Sequence, residues 1–380
     1  MVAQVKTEDD EMVTESTEGL KTMEIAASRS SERNTLWEGS SQFRHWRFSQ
    51  RTLLEQRTKM NESAVNAIRN TFEADEPGSS EGIQFLTAQE EHHLVTHYVS
   101  KITQLCQHFR FNEEVEATAM TYLKRFFLKN TVMDWHPMNV MLTTLFLAAK
   151  TTNNPISLEA YVAQLPKTSP SDVLDLEFLV AQSLSFEFAV WHAHRALWGI
   201  WLDLQTLPDV RPEAIKDIYN AAVDHVQSSR LTDAEFIYTP PQIALASLYL
   251  ASESLGSQWA RAKGMSPTEM DVIKEVAHLV SSEVFRVDQE QVREIDKRLR
   301  TCKNPEKVPG TAAYKKKQEA AEAHAASKRD KKHKAEKERE SAKMEVDVFG
   351  NVEMIDHANV TVEGTLDRGG GGLDSSGEED

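Results

Sequence analysis

The chain has 380 residues, with 43 Lys and Arg against 59 Asp and Glu and a formal charge of −16. That length accommodates two ordinary domains plus tails, and the acidity weighs against a general nucleic-acid binder. The two cysteines, Cys106 and Cys302, supply neither a disulfide framework nor a cysteine-rich zinc site and suit a reducing compartment. No apolar run reaches the ~18 residues of a membrane span. The acidic, polar stretch Met1–Ser30 does not read as a secretory signal.

Residues 1–40 carry few large apolar side chains and are expected to be disordered. A helix is predicted near 49–70, with Leu53, Leu54, Met60, Ala64 and Val65 as contacts. Its stripe is thin and needs a neighbour to pack against. Asp75–Gly82 reads as a loop. Thr87-Ala-Gln-Glu90 is a capping box. The helix it opens places Val95, Val99, Ile102, Leu105, Cys106 and Phe109 at helical spacing. A second helix runs from about Glu113 to Leu128. A third, about 137–150, is apolar around most of its circumference, as an enclosed helix is. Asn153-Asn-Pro155 stops it. A short helix follows Ser157, and a longer one spans about 171–184. Five helices and no convincing strand alternation make this half all-α.

The second half repeats the first at an offset of 103. Pro137 meets Pro240, Val140 meets Ile243, Leu145 meets Leu248, Phe146 meets Tyr249 and Ala148 meets Ala251. Each segment begins with a proline, which the first helical turn tolerates. A period this long suggests two copies of one small helical domain, not a solenoid. Helices are predicted at about 193–206, 212–228, 240–254 and 267–284, the last opened by the capping box Ser266-Pro-Thr-Glu269. A further helix, about 287–302, carries Val287, Val292, Ile295 and Leu299 on one side. Residues 311–343 read as a solvated helix held by charge pairs four residues apart. Residues 346–380 are acidic and glycine-rich and are expected to be disordered.

No glycine-rich phosphate loop, nucleophile elbow or kinase signature appears. His93 and His97 share a helix face, but no general-base Glu and no third ligand accompany them. They read as ordinary helix histidines. Trp191-His-Ala-His194 reads as a linker between the halves. No catalytic, metal or cofactor site is expected. Lys328, Arg329, Lys331, Lys332 and Lys334, with Lys315–Lys317 upstream, read either as a nuclear-import signal or as a solvated charged helix. Ser375 and Ser376 stand among acids, a setting that suits an acidophilic kinase.

Ala119–Leu128 followed by Met141–Lys150 resembles the central helix pair of a cyclin box. Arg44-His-Trp-Arg-Phe48, Asn130–Pro137 and Leu231–Ala244 are similar to segments of the H-type transcriptional cyclins. The likeness spans roughly 43–302. It implies two tandem five-helix boxes with flanking N- and C-terminal helices and disordered tails. The organisation expected is a tail over 1–42, a helix and loop over 43–84, boxes over 85–190 and 191–286, a packing helix over 287–303 and a charged tail over 304–380. The resemblance also implies a function: a regulatory subunit that binds and activates a cyclin-dependent kinase. The kinase expected is the activating kinase of transcription factor IIH, which acts on RNA polymerase II repeats and on other cyclin-dependent kinases. An assembly factor, the transcription factor IIH core and a nuclear location come with it; nucleic acid, membrane and cofactor do not.

In such cyclins a Lys closing the third helix and a Glu in the fifth meet the kinase beside its C-helix. Lys150 and Glu177 occupy those positions, and Phe186 matches an interface aromatic. Spacing alone would leave Lys150 and Glu177 as surface charges, and an aromatic at Phe186 suits the core as well as an interface. Lys124 stands where cell-cycle cyclins carry an Asp, as in the H type. The Met-Arg-Ala-Ile-Leu docking patch is missing, and no acidic residues follow Lys150. The alternatives are another transcriptional cyclin with a different kinase and a transcription factor IIB-like promoter-binding protein.

Overall fold

A computed structural model describes residues 36–207, 212–282 and 288–348. The expectations for residues 1–35, for 349–380 with Ser375 and Ser376, and for Val287 lie outside the described residues. Every regular element among the described residues is helical, and no helix is long and apolar enough to cross a membrane.

Local chemistry sets the helix starts. Ser40 caps α1 (Ser41–His45) and Ser49 caps α2 (Gln50–Asp75) through their hydroxyls. The capping box of Thr87 and Glu90 opens α3 (Ala88–Phe109), which ends at Arg110 in the left-handed region. Asn112 caps α4 (Glu113–Phe126). Three glutamates in its first turn and Lys124 and Arg125 in its last oppose the helix dipole. Then come α5 (Pro137–Thr151), α6 (Leu158–Val162) and α7 (Pro170–Ser183). All residues of α5 from Val140 to Ala149 are buried, so the enclosed helix lies where it was expected.

The second box comprises α8 (Ala193–Leu204), α9 (Pro212–Ser229), the one-turn α10 (Ala234–Ile237), α11 (Pro240–Ala251), α12 (Glu253–Ala262) and α13 (Pro267–Ser282). Helix α11 buries Ile243 to Leu248 without interruption, as α5 does in the first box. Helix α12 is a correction. The sequence pattern predicts one helix over about 240–254 and no element between it and 267. Instead Ser252 breaks the chain with an extended backbone and caps a new amphipathic helix through its hydroxyl.

Each box has its own core. The first includes Ile68 of α2 and Val292, Ile295 and Leu299 of α14 (Gln289–Leu299). Both flanking helices pack on α3. The Glu91 carboxylate, on α3, accepts from Asn61 Nδ2 (2.6 Å), Thr131 Oγ1 (2.9 Å) and Val132 N (2.8 Å). His136 and Asp296, 2.9 Å apart, bind α14 to the start of α5. Two boundaries move. Gln42, expected in the N-terminal tail, is buried, and packing continues through Asn304, Pro305 and Ala313, past the expected start of the charged tail. Leu54, expected as a contact, is 64% exposed; the buried positions of α2 are Leu53 and Ile68. From Gln318 onward the described residues belong to a separate unit. There the long helix α15 (Ala312–Val348) is exposed from Gln318 to Glu338.

Candidate functional site

Helix α5 ends in Lys150, and α7 presents Glu177 beside it. Nζ and Oε1 are 2.5 Å apart, with the side chains 44% and 21% exposed. Lys150 Nζ also lies 5.3 Å from the centre of the Phe146 ring. An ion pair this exposed adds only about 0–1 kcal/mol to stability. Its conspicuous property is availability. Leu174 and Phe178, three residues before and one after Glu177 on α7, are 48% and 68% exposed. Phe186 is 55% exposed, and its ring lies 6.1 Å from Phe178 and 6.3 Å from Phe188. The structure therefore brings all three expected docking residues to one side of the first box. It adds Leu174 and Phe178, which the sequence reading did not name. Their signal was apolar residues at i and i+4 flanking Glu177 on a helix already buried through Val173 and Val180.

The corner that carries Phe186 is strained. Ser185 and Phe186 both take φ near +57° (56° and 58°), a region that costs a non-glycine residue about 1–3 kcal/mol. Backbone bonds hold it: Ser185 N donates to Gln182 O (2.9 Å), Phe186 N to Ala181 O (2.9 Å) and Glu187 N to Leu184 O (3.0 Å). Tyr122 OH donates to Phe188 O at 2.6 Å, and Lys129 Nζ to Ser185 Oγ at 2.9 Å. Observed strain at an exposed aromatic points toward function.

The two boxes meet along a polar seam. Lys124, 8% exposed, pairs with Glu235 Oε1 (2.7 Å) and donates to Arg230 O (2.9 Å) and Thr232 O (2.7 Å). Arg57 of α2 makes a bidentate pair with Asp233, both contacts 2.6 Å. Burial opposes the Asp233 charge, but the guanidinium wins and holds its pKa at about 2. Glu114 meets His194 (3.0 Å) and Arg195 (2.9 Å). There too burial is outweighed by these partners, and the carboxyl sits at about 2. His192 bonds Thr118 Oγ1 at 2.9 Å, and burial pushes its pKa down to about 3. The Trp191–His194 segment joins the halves as expected, but its histidines are seam residues and not idle linker.

His93 and His97 are half-buried on α3, burial lowers both pKa values, and no cluster of three metal-ligating side chains occurs among the described residues. Burial pushes the Cys106 thiol up to about 12, which makes it a poor nucleophile. Lys328, Arg329, Lys331, Lys332 and Lys334 lie on the exposed length of α15.

A duplicated all-helical body with a charged and aromatic rim defines a binding scaffold. Residues 68–189 match the family described as cyclin, N-terminal domain, and residues 192–304 match the cyclin C-terminal domain. Cyclin mcs2 of Schizosaccharomyces pombe is 30% identical over 282 residues, 72% of this chain and 88% of its own length. Cyclin CCL1 of Saccharomyces cerevisiae is 34% identical over 240 residues, 60% and 61% of the two chains. A chain of the CAK complex from Chaetomium thermophilum bound to ATP-gamma-S superposes with a TM-score of 0.68 at 29% identity, covering 76% of this chain and 94% of that one. A chain of the yeast TFIIK (Kin28/Ccl1/Tfb3) complex gives a TM-score of 0.55 at 30% identity, with 64% and 99% covered. The chain belongs to the cyclin family.

Proposed function

We propose that this cyclin is the regulatory subunit of an H-type activating kinase that acts in RNA polymerase II transcription and cell-cycle control. The observation that carries it is the match, over 94% of the relative's length, to a chain of a CAK complex. The yeast TFIIK complex combines Kin28, Ccl1 and Tfb3, and by that likeness this chain has two protein partners: a cyclin-dependent kinase catalytic subunit and an assembly factor. The transcription factor IIH core is the wider assembly. The partner performs the chemistry; this chain is not an enzyme and needs no cofactor. A nuclear location follows from the role, with Lys328–Lys334 as the import signal.

Lys150, Glu177 and Phe186 form the kinase-docking rim, and Leu174 and Phe178 extend it. A lone kinase lacks the in-place pair between its β3 Lys and C-helix Glu that catalysis requires. A cyclin that binds only the helix-in state shifts the population toward it. Moving 1:99 to 99:1 takes about 5.5 kcal/mol of differential binding. A rigid body with separate, well-filled cores keeps the ordering cost of association low.

The test is affinity for the co-purified kinase. Lys150→Ala and Glu177→Ala each leave the other charge unpaired at the interface and should weaken binding by about 2–5 kcal/mol with helicity retained. Unchanged affinity for both would remove the rim from the interface.

A further inference from the structure

The Phe186 corner is gripped from outside the first box. Glu187, the next residue, is 18% exposed at its side chain. Its Oε2 accepts from the indole Nε1 of Trp46 at 2.6 Å, and its Oε1 meets His45 Nδ1. Trp46 is itself 2% exposed. Two cations lie against that indole: the Arg125 guanidinium at 4.8 Å and Lys129 Nζ at 4.6 Å. Both reach the corner, Arg125 through Glu187 O (3.3 Å) and Lys129 through Ser185 Oγ (2.9 Å). A second grip lies just beyond. The Gln42 amide accepts from Trp191 N (2.7 Å) and donates to Trp191 O (3.3 Å). The residues on either side of Phe186 are thus held by one buried tryptophan and its neighbours, while the Phe186 ring stays exposed.

A buried indole N–H usually finds an acceptor, and a carbonyl would serve. Here the acceptor is a carboxylate beside a strained, exposed aromatic. A left-handed pair of non-glycine residues persists only where its surroundings over-determine it.

We propose that residues 42–46 are a splint for this corner and that Glu187 is a positioning residue, which sets the pose of Phe186 for the kinase. This rests on the docking reading of Phe186. The N-terminal segment then tunes kinase affinity through Phe186 and not through contacts of its own.

A double-mutant cycle on the full chain tests it, with affinity for the co-purified kinase catalytic subunit as readout. Glu187→Ala should weaken binding on the order of tenfold. In a Phe186→Ala background the same change should cost less than about twofold, because its effect passes through the missing ring. Amide exchange at Phe186 and Glu187 should quicken while the core helices keep their protection. Trp46→Phe keeps the buried ring, removes the N–H, and runs the same cycle if Glu187→Ala fails to fold. A full penalty for Glu187→Ala in the Phe186→Ala background would overturn the splint alone. Wild-type affinity for Phe186→Ala would overturn the docking reading and the splint with it.

Discussion

In the first box, α5 runs out to Thr151, turns at Asn153 with φ +58°, and reaches the five-residue α6 only at Leu158. In the second, α11 stops at Ala251 and the ten-residue α12 starts at Glu253. The tight return depends on Gly256, where an added Cβ would lie 2.9 Å from Tyr249 Cα. Glu253 stands 103 positions after Lys150, and its carboxylate accepts from Tyr249 OH at 2.8 Å. The interiors of the two boxes still correspond, Leu145 to Leu248 and Val140 to Ile243, all buried. Packing constrains every methyl group inside, whereas a helix end needs only a cap and solvent. The two cores therefore correspond while the rims differ.

The largest way to break this arrangement is at the joint. Lys124→Ala removes the ion pair to Glu235, leaving that carboxylate its bond from Thr121 Oγ1, and should cost roughly 3–5 kcal/mol, measured as a drop in the urea midpoint of the full chain. A loss below about 1 kcal/mol would mark the seam as an ordinary surface network. Next, Gly256→Ala should destabilise by about 1–3 kcal/mol through overpacking against Tyr249, seen as loss of hydrogen-exchange protection in α11 and α12 before α5.

Acid sharpens the contrast between seam and core. The His192 pKa is lowered in the fold, so the unfolded chain takes up a proton as pH falls below its ordinary 6.5 while the folded chain refuses it until about 3. Stability is lost across that window, by about 1 kcal/mol between pH 6.5 and 5.5 for this group, and His192→Gln should flatten the slope. Glu114, His194, Arg230 and Arg125 surround it electrostatically. Glu114 and Asp233 are depressed carboxylates, so their contribution is present above 4.5 and 3.8 and fades only toward about 2. His192 should fail first. The smallest effect is opposite in sign. Gly199 in α8 has open space around it, so Gly199→Ala should stabilise by about 0.5–1 kcal/mol, read as a raised thermal midpoint.

Much of this was legible in the chain itself. The enclosed helices announced themselves because burial on all sides demands apolar residues on all sides. Thr87-Ala-Gln-Glu90 marked a start because capping is a local bond. Helix α12 is not announced by its sequence, because Gly256 disfavours a helix and its reason, the close approach to Tyr249, is a tertiary contact. The seam was not legible. Arg57 and Asp233 lie 176 residues apart, and no local pattern distinguishes Lys124 from any other basic residue in a last helical turn. The docking role expected of Lys150, Glu177 and Phe186 rests on family likeness alone. The His45-Trp46 pair was likewise noticed as a motif, without any sign that it would reach Glu187.

The unequal rims also bear on stoichiometry. A body with two like ends would seat two catalytic subunits and hold them side by side. Here Lys150, at the end of α5, has the acidic Glu253 at the corresponding place in the other half. Under the proposed role this makes a doubled scaffold monovalent, and gives a nearly symmetric interior a single direction of engagement.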